Sequence, residues 1–231
     1  MKIALFGGTF DPVHRGHLAV ARAAAKKFKL DLIYFAPADI PPHKQKRELT
    51  DFRHRFAMLA LATAGDKRFV PSLIDAPTGQ PNYSVDTVRR LKAQLDQRDT
   101  LYFLIGMDAF KDIPTWRKPM ELLSMCGFIV VTRPGYSLED LKKTWSEAFR
   151  ARRHLWRDLA ARTKDGITGV RAEVHLIDEV HEDISSTQIR AAARKSVAQL
   201  SRLVPQSVAE YIAKEGLYTQ SAAGAKTRKR R

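Results

Sequence analysis

In the segment Gly7-Gly8-Thr9-Phe10-Asp11-Pro12-Val13-His14-Arg15-Gly16-His17, two imidazoles stand three residues apart behind a pair of glycines. On a first helical turn, side chains at i and i+3 share one side, so His14 and His17 can face a single ligand group. Gly16 between them lets that ligand come close to the backbone. Ahead of the glycines, Lys2-Ile3-Ala4-Leu5-Phe6 is a short apolar run that predicts a buried parallel strand. Behind them, Leu18, Val20, Ala21, Ala24, Ala25 and Phe28 predict a helix from Gly16 to near Lys29. Strand, glycine loop, two imidazoles and a positive helix end then converge on one phosphate group. The pattern lacks the glycine-lysine-serine ending of a Walker loop. Paired histidines could also be half of a metal site, but no compact Cys/His/acid cluster completes one, and no metal ligands are expected in the chain.

The elements that must carry this loop alternate. Leu32–Ala36, Leu101–Ile105 and Phe128–Thr132 read as further strands, with Val174–Ile177 as an additional one. Between them, Asp51 can cap a helix bearing Phe52, Phe56, Leu59 and Ala60, and Ser84 can cap one bearing Val85, Val88, Leu91 and Leu95. Helical spacing resumes around Met120–Leu123 and again over Thr187–Arg194, and Pro205 opens a last helix that Gly216 stops. The fold expected is α/β: a doubly wound, mostly parallel, Rossmann-like sheet of about five to six strands with a small C-terminal helical region. Residues 1–219 are expected to form one domain. Residues 137–165, charged and helical in pattern with Leu141, Trp145, Phe149, Leu155, Trp156 and Leu159, read as an insertion or extended crossover. Residues 220–231 read as a disordered basic tail.

With 231 residues and 44% apolar content the chain can bury one substantial core. Its net charge of +15 calls for an anionic partner, whether nucleotide, RNA or membrane surface. Five of the positive charges fall on Lys226, Arg228, Lys229, Arg230 and Arg231, and the remaining body stays at about +10. Any nucleic-acid contact is expected to be a non-specific property of that tail, because interleaved exposed aromatics and basics are lacking. Near Met1 only four apolar residues precede the glycines, so neither a secretory h-region nor a membrane span is expected, and the location expected is cytoplasmic. The single cysteine, Cys126, sits in an apolar run and reads as a buried small hydrophobe.

Gly7 to Leu18 resembles the signature of the cytidylyltransferase-like nucleotidyltransferase superfamily, whose members carry His-x-Gly-His or Thr-x-Gly-His. Ile184-Ser185-Ser186-Thr187-Gln188-Ile189-Arg190 resembles that superfamily's late phosphate-gripping segment. Pro41-Pro42-His43-Lys44, Asn82-Tyr83-Ser84-Val85-Asp86-Thr87, Gly106-Met107-Asp108 with Trp116, Arg133-Pro134-Gly135 and Leu217-Tyr218 narrow the resemblance to nicotinate-nucleotide adenylyltransferases. It covers roughly residues 1–135 and 172–218. Two departures stand out: Ser84 where threonine is usual, and the length of the 137–165 segment.

The resemblance implies His14, His17 and Arg190 as catalytic groups. It implies an ATP site built from Gly7, Gly8, Thr9, Phe10, Gly16, Gly106, Asp108, Arg133, Ile184, Ser185, Ser186 and Thr187. Nicotinate mononucleotide would be held by Lys44, Tyr83, Ser84, Asp108, Trp116 and Arg117. Trp116 offers a flat face to a pyridine ring, backbone N–H groups near Tyr83 and Ser84 can receive its carboxylate, and Asp108 can accept ribose hydroxyls. Lys44, with His43, can neutralise phosphate, and Arg190 can grip the outer phosphates as a fork. Mg²⁺ is expected to ride on the ATP phosphates. The implied reaction joins AMP from ATP to nicotinate mononucleotide in NAD biosynthesis. Phosphopantetheine and nicotinamide mononucleotide are the neighbouring alternatives, with non-catalytic RNA binding a reading from another class. A homo-oligomer is compatible with the sequence.

Overall fold

The structure is a computed structural model and describes residues 1–42, 49–132, 173–178, 180 and 184–219. The 137–165 segment and the 220–231 tail lie outside the described residues, as do the predicted ligands Lys44 and Arg133.

Six strands form one sheet: β1 (Lys2–Gly8), β2 (Leu32–Pro37), β3 (Phe69–Pro71), β4 (Thr100–Gly106), β5 (Gly127–Val131) and β6 (Val174–Ile177). Their order is β3-β2-β1-β4-β5-β6, and every neighbouring pair is parallel. The sheet is therefore wholly parallel. β3, only three residues long, was not foreseen: Phe69-Val70-Pro71 is too short to show a period, and its strand character comes from pairing Ile33–Phe35.

Alternation along β1 explains the two layers. Ala4 and Phe6 point to one face, packed with Leu18, Ala21 and Ala25 of α1 (Arg15–Phe28) and Met58 and Leu59 of α2 (Phe52–Thr63). Ile3 and Leu5 point to the other, packed with Val85, Val88 and Leu91 of α3 (Ser84–Lys92), Phe110 of α4 (Met107–Lys111) and Leu122 of α5 (Pro119–Met125). Cys126 lies buried beneath this second layer, and burial pushes its thiol up to about 12. The C-terminal helices α6 (Ser186–Ala193), α7 (Val197–Leu203) and α8 (Gln206–Lys214) join the first layer through Ile189, Leu200, Val208 and Ile212.

Helix starts follow their residues. Asp51 caps α2 by accepting from the Arg53 N–H at 2.8 Å, as its type predicts. Ser84 does not cap α3: it is the first helical residue, Tyr83 occupies the cap, and no side chain bonds there. A serine one residue inside a helix cannot turn its oxygen back onto the first-turn N–H groups as a cap does. That leaves the N-terminus of α3 with no side-chain cap.

β1 and β4 are adjacent in the sheet, yet the chain leaves β1 toward β2 and reaches β4 only later. The crevice above their C-terminal ends is the switch point at which wound sheets bind ligands.

Candidate active site

At that crevice β1 ends in Gly8, and the chain folds sharply before α1. Phe10 is fully buried with φ of 46°, in the left-handed region that a phenylalanine rarely adopts. Its ring lies back over Gly8, where a Cβ would come within 3.2 Å of it. Gly8 is thus a glycine because Phe10 takes the space. Gly7 has no such pressure, since a Cβ there would meet Phe103 at an ordinary 3.4 Å.

The two histidines cap α1 together. His14 is the N-cap residue, and its Nδ1 accepts from the His17 N–H at 3.3 Å while the His17 Nδ1 accepts from the His14 N–H at 3.2 Å. This is a capping box built from imidazoles in place of Ser and Glu. Both Nδ1 lone pairs are engaged, so each neutral ring carries its proton on Nε2 and presents a donor there. The rings stack at 3.6 Å between centroids, and His17 is seated edge-on against Phe6 and Phe10. Burial pushes His14 down to about 4. Arg15 and Gly16 hold the first-turn N–H groups that have no intrahelical acceptor. The local arrangement can hold an anion with neutral donors and a helix N-terminus.

The late segment arrives at the same loop. Ser185 caps α6 through Gln188, with the serine Oγ accepting from the Gln188 N–H at 3.3 Å. Ser186 Oγ donates to the Pro12 carbonyl at 3.3 Å. Arg190 donates from Nη1 to the Asp11 carbonyl at 2.6 Å and from Nη2 to Thr187 Oγ1 at 2.9 Å. Ile184 packs against the first-layer core, while Thr187 is exposed. Ser186, Thr187 and Arg190 are thereby brought to the loop that carries His14 and His17.

Asp11, only 3% exposed, joins further segments. Its Oδ1 accepts from the Tyr218 hydroxyl at 2.7 Å, and its Oδ2 receives the Thr50 N–H at a long 3.5 Å. Burial and the neighbouring Asp11 carboxylate raise the Tyr218 phenol well above its ordinary range.

Across the switch point, Gly106 caps α4 and Asp108 is exposed in its first turn. Around Gly106 a Cβ would meet no atom within 4 Å. Next to it, Trp116 follows a 3₁₀ turn at Ile113–Thr115 and packs half-buried against the second-layer core. Arg117 lays its guanidinium over the Tyr83 ring at 4.6 Å, so two predicted pyridine-site residues touch each other. Asn82 bolts this turn to the β2 end: its Oδ1 accepts from the N–H groups of Asp39 and Ile40, both at 2.9 Å. Asp75, buried under α3, accepts from Thr87 at 2.8 Å and from Arg90. Beside Tyr83, Asn82, Arg90 and Arg117 border a cleft of about 340 Å³.

Sequence reasoning passed over Arg55 and Asp75, and named Asn82 only within a family motif, with no role of its own. For Arg55 a signal existed, because it falls on the stripe Phe52, Arg55, Leu59 that faces the core. Asn82 and Asp75 act through backbone and long-range partners that spacing does not reveal.

Residues 5–192 match the family model described as cytidylyltransferase-like. The chain is 35% identical over 218 residues to a "Probable nicotinate-nucleotide adenylyltransferase" of Thermoanaerobacter sp., covering 94% of each chain. It is 37% identical over 220 residues to one of the same name from Corynebacterium kroppenstedtii, covering 95% of this chain and 92% of the relative. The chain belongs to the nicotinate-nucleotide adenylyltransferase family of cytidylyltransferase-like nucleotidyltransferases. In fold it is similar to the Plasmodium falciparum nicotinic acid mononucleotide adenylyltransferase solved with NaAD. That likeness has a TM-score of 0.68 at 19% identity, over 94% of this chain and 97% of the other. The same protein solved with APC gives the same score. No helix among the described residues is long and apolar enough to cross a membrane.

Proposed function

We propose that this chain transfers the AMP moiety of ATP to nicotinate mononucleotide, giving nicotinate adenine dinucleotide and pyrophosphate, as a cytoplasmic step of NAD biosynthesis. The observation that carries the reading is the reciprocal cap of His14 and His17, which occupies Nδ1 of both rings and leaves the Nε2 edges opposite the cap, at a helix N-terminus above the switch point. A phosphate oxygen of the mononucleotide attacks the α-phosphorus of ATP in line, the new P–O bond forms, and the bond to the bridging oxygen of pyrophosphate breaks. No protein nucleophile is required, because the attacking phosphate is already ionised near neutral pH. The chain contributes position and charge stabilisation.

In this reading His17 donates to the α-phosphate as charge builds on it, and His14 steadies the neighbouring oxygens as a neutral donor. Arg190 supports the departing pyrophosphate. Gly7, Gly8, Thr9, Phe10, Gly16 and residues 184–187 shape the phosphate pocket, with Gly106, Asp108 and Arg133 toward the nucleoside. Trp116, with Tyr83, Ser84 and Arg117, takes the pyridine ring and its carboxylate. Lys44 and Asp108 hold the phosphate and ribose of the mononucleotide.

Transfer from ATP calls for a divalent cation that neutralises phosphate charge. Among the described residues no three His, Cys, Asp or Glu side chains converge, and the donors at the loop suit phosphate. Mg²⁺ carried on the ATP phosphates, with few protein ligands, fits that donor set. The deciding experiment compares kcat/KM for nicotinate and nicotinamide mononucleotides and for phosphopantetheine with ATP. A clear preference for either of the latter two would overturn the substrate assignment.

A further inference from the structure

Arg55 leads the fully buried side chains in size, at 1% exposure, and faces the core from an otherwise apolar stripe of α2. Its donors reach three carbonyls on three separate segments. Nε donates to Thr50 O at 2.7 Å, and Nη1 donates to Thr9 O at 2.8 Å and to Ala38 O at 2.7 Å. Nη2 lies 3.9 Å from Asp39 Oδ1, and the guanidinium sits over the Phe52 ring at 5.6 Å. Burial lowers its pKa, while Asp11 and Asp39 oppose that shift.

A buried cation is a poor way to gain stability, since an apolar residue of similar size avoids its desolvation. What the fork supplies and an apolar residue cannot is a simultaneous grip on the loop after β1, the end of β2 and the start of α2. The gripped carbonyl of Thr9 directly precedes Phe10, whose left-handed backbone persists only where its surroundings over-determine it. Four and seven residues after Phe10 stand His14 and His17. We infer that Arg55 is a positioning residue for nucleotidyl transfer. Its hold on Thr9 fixes the turn at Phe10 and through it the heading of both imidazoles. Buried at 1% exposure, Arg55 acts through Thr9 and not by contact with substrate. The inference rests on the reaction assigned above.

The test compares wild type with Arg55→Lys, which keeps charge but loses the planar fork. With active-site concentration normalised to folded protein, kcat falls about 10-fold or more while KM for ATP stays within about 3-fold, because misplacement acts on the reacting geometry. In a His17→Ala background the same change costs at most about 2-fold, since both act through one group. Ring ¹⁵N NMR of substrate-free protein loses the paired Nε2–H signature of His14 and His17 in Arg55→Lys. Unchanged kcat, losses that multiply in the double variant, or an intact ring signature would each overturn the inference. Should Arg55→Lys not fold, Phe52→Leu removes the ring under the guanidinium and must show the same kcat loss and ring change; neither appearing would also overturn it. The NMR readout needs no substrate, so a wild type inactive on nicotinate mononucleotide counts against the reaction alone.

Discussion

His14 and His17 lie face to face at 3.6 Å between ring centroids, and each accepts the other's backbone N–H through Nδ1. The same two groups that close the helix end are thereby fixed in tautomer and heading. Capping occupies one edge of each ring, and the phosphate donation proposed above would use the opposite one.

For His17→Ala we expect kcat to fall on the order of 100-fold or more, as for loss of one transition-state donor. The fold survives, with about 1 kcal/mol lost from the cap. Steady-state turnover and a urea melt of the same sample separate the two effects. Near-wild-type turnover would remove His17 from the catalytic set.

His14 makes stability depend on pH with a definite sign. Its folded pKa is depressed to about 4, so between there and about 6.5 the unfolded chain binds the additional proton. Stability is therefore full above about 6.5 and declines as pH falls toward 4, by on the order of 3 kcal/mol. Urea midpoints at pH 7 and pH 5 should differ in wild type. They should draw together in His14→Asn, which can still cap but does not titrate; an equal pH response in both would refute the assignment.

Two glycines at the crevice should respond differently to alanine. Gly8→Ala drives a methyl to within 3.2 Å of the Phe10 ring and should cost about 1–3 kcal/mol of stability. Gly106→Ala meets no protein atom within 4 Å and should leave Tm nearly unchanged. If ATP approaches there, its KM rises in Gly106→Ala all the same. Thermal melts paired with ATP titrations give both numbers.

Trp116→Ala should raise the KM for the pyridine mononucleotide about 10-fold or more, from a stacking contribution of about 1–3 kcal/mol, with KM for ATP little altered. An unchanged mononucleotide KM would favour a substrate without an aromatic ring, such as phosphopantetheine.

The wound sheet and its loop were readable because β1 and α1 obey local rules: a run of apolar residues, two glycines, then a 3.6-residue period. The pairing of His14 with His17 followed from spacing alone. What spacing could not reveal was any feature fixed by distant partners. β3 exists through its pairing with β2, and although Arg55 lies on the core-facing stripe of α2, its partners Thr9, Ala38 and Thr50 are not readable from that spacing. Arg190 was expected to face phosphate, and its two bonds to Asp11 O and Thr187 show the local anchors from which it would reach. Ser84 failed as a cap because the helix begins one residue earlier than its type suggested, a shift below what periodicity resolves.

The bond from Tyr218 to Asp11 joins residues 207 positions apart, and Arg190 and Ser186 reach the same loop across 179 and 174. During synthesis, β1, α1 and β2 leave the ribosome long before those partners exist. A nascent chain can pair its first strands, but its Asp11 loop lacks Ser186, Arg190 and Tyr218 until those distant segments have been made. The loop is thus completed only after the segments that carry Ser186, Arg190 and Tyr218 emerge, and a product interrupted before residue 218 carries it without the Tyr218 bond.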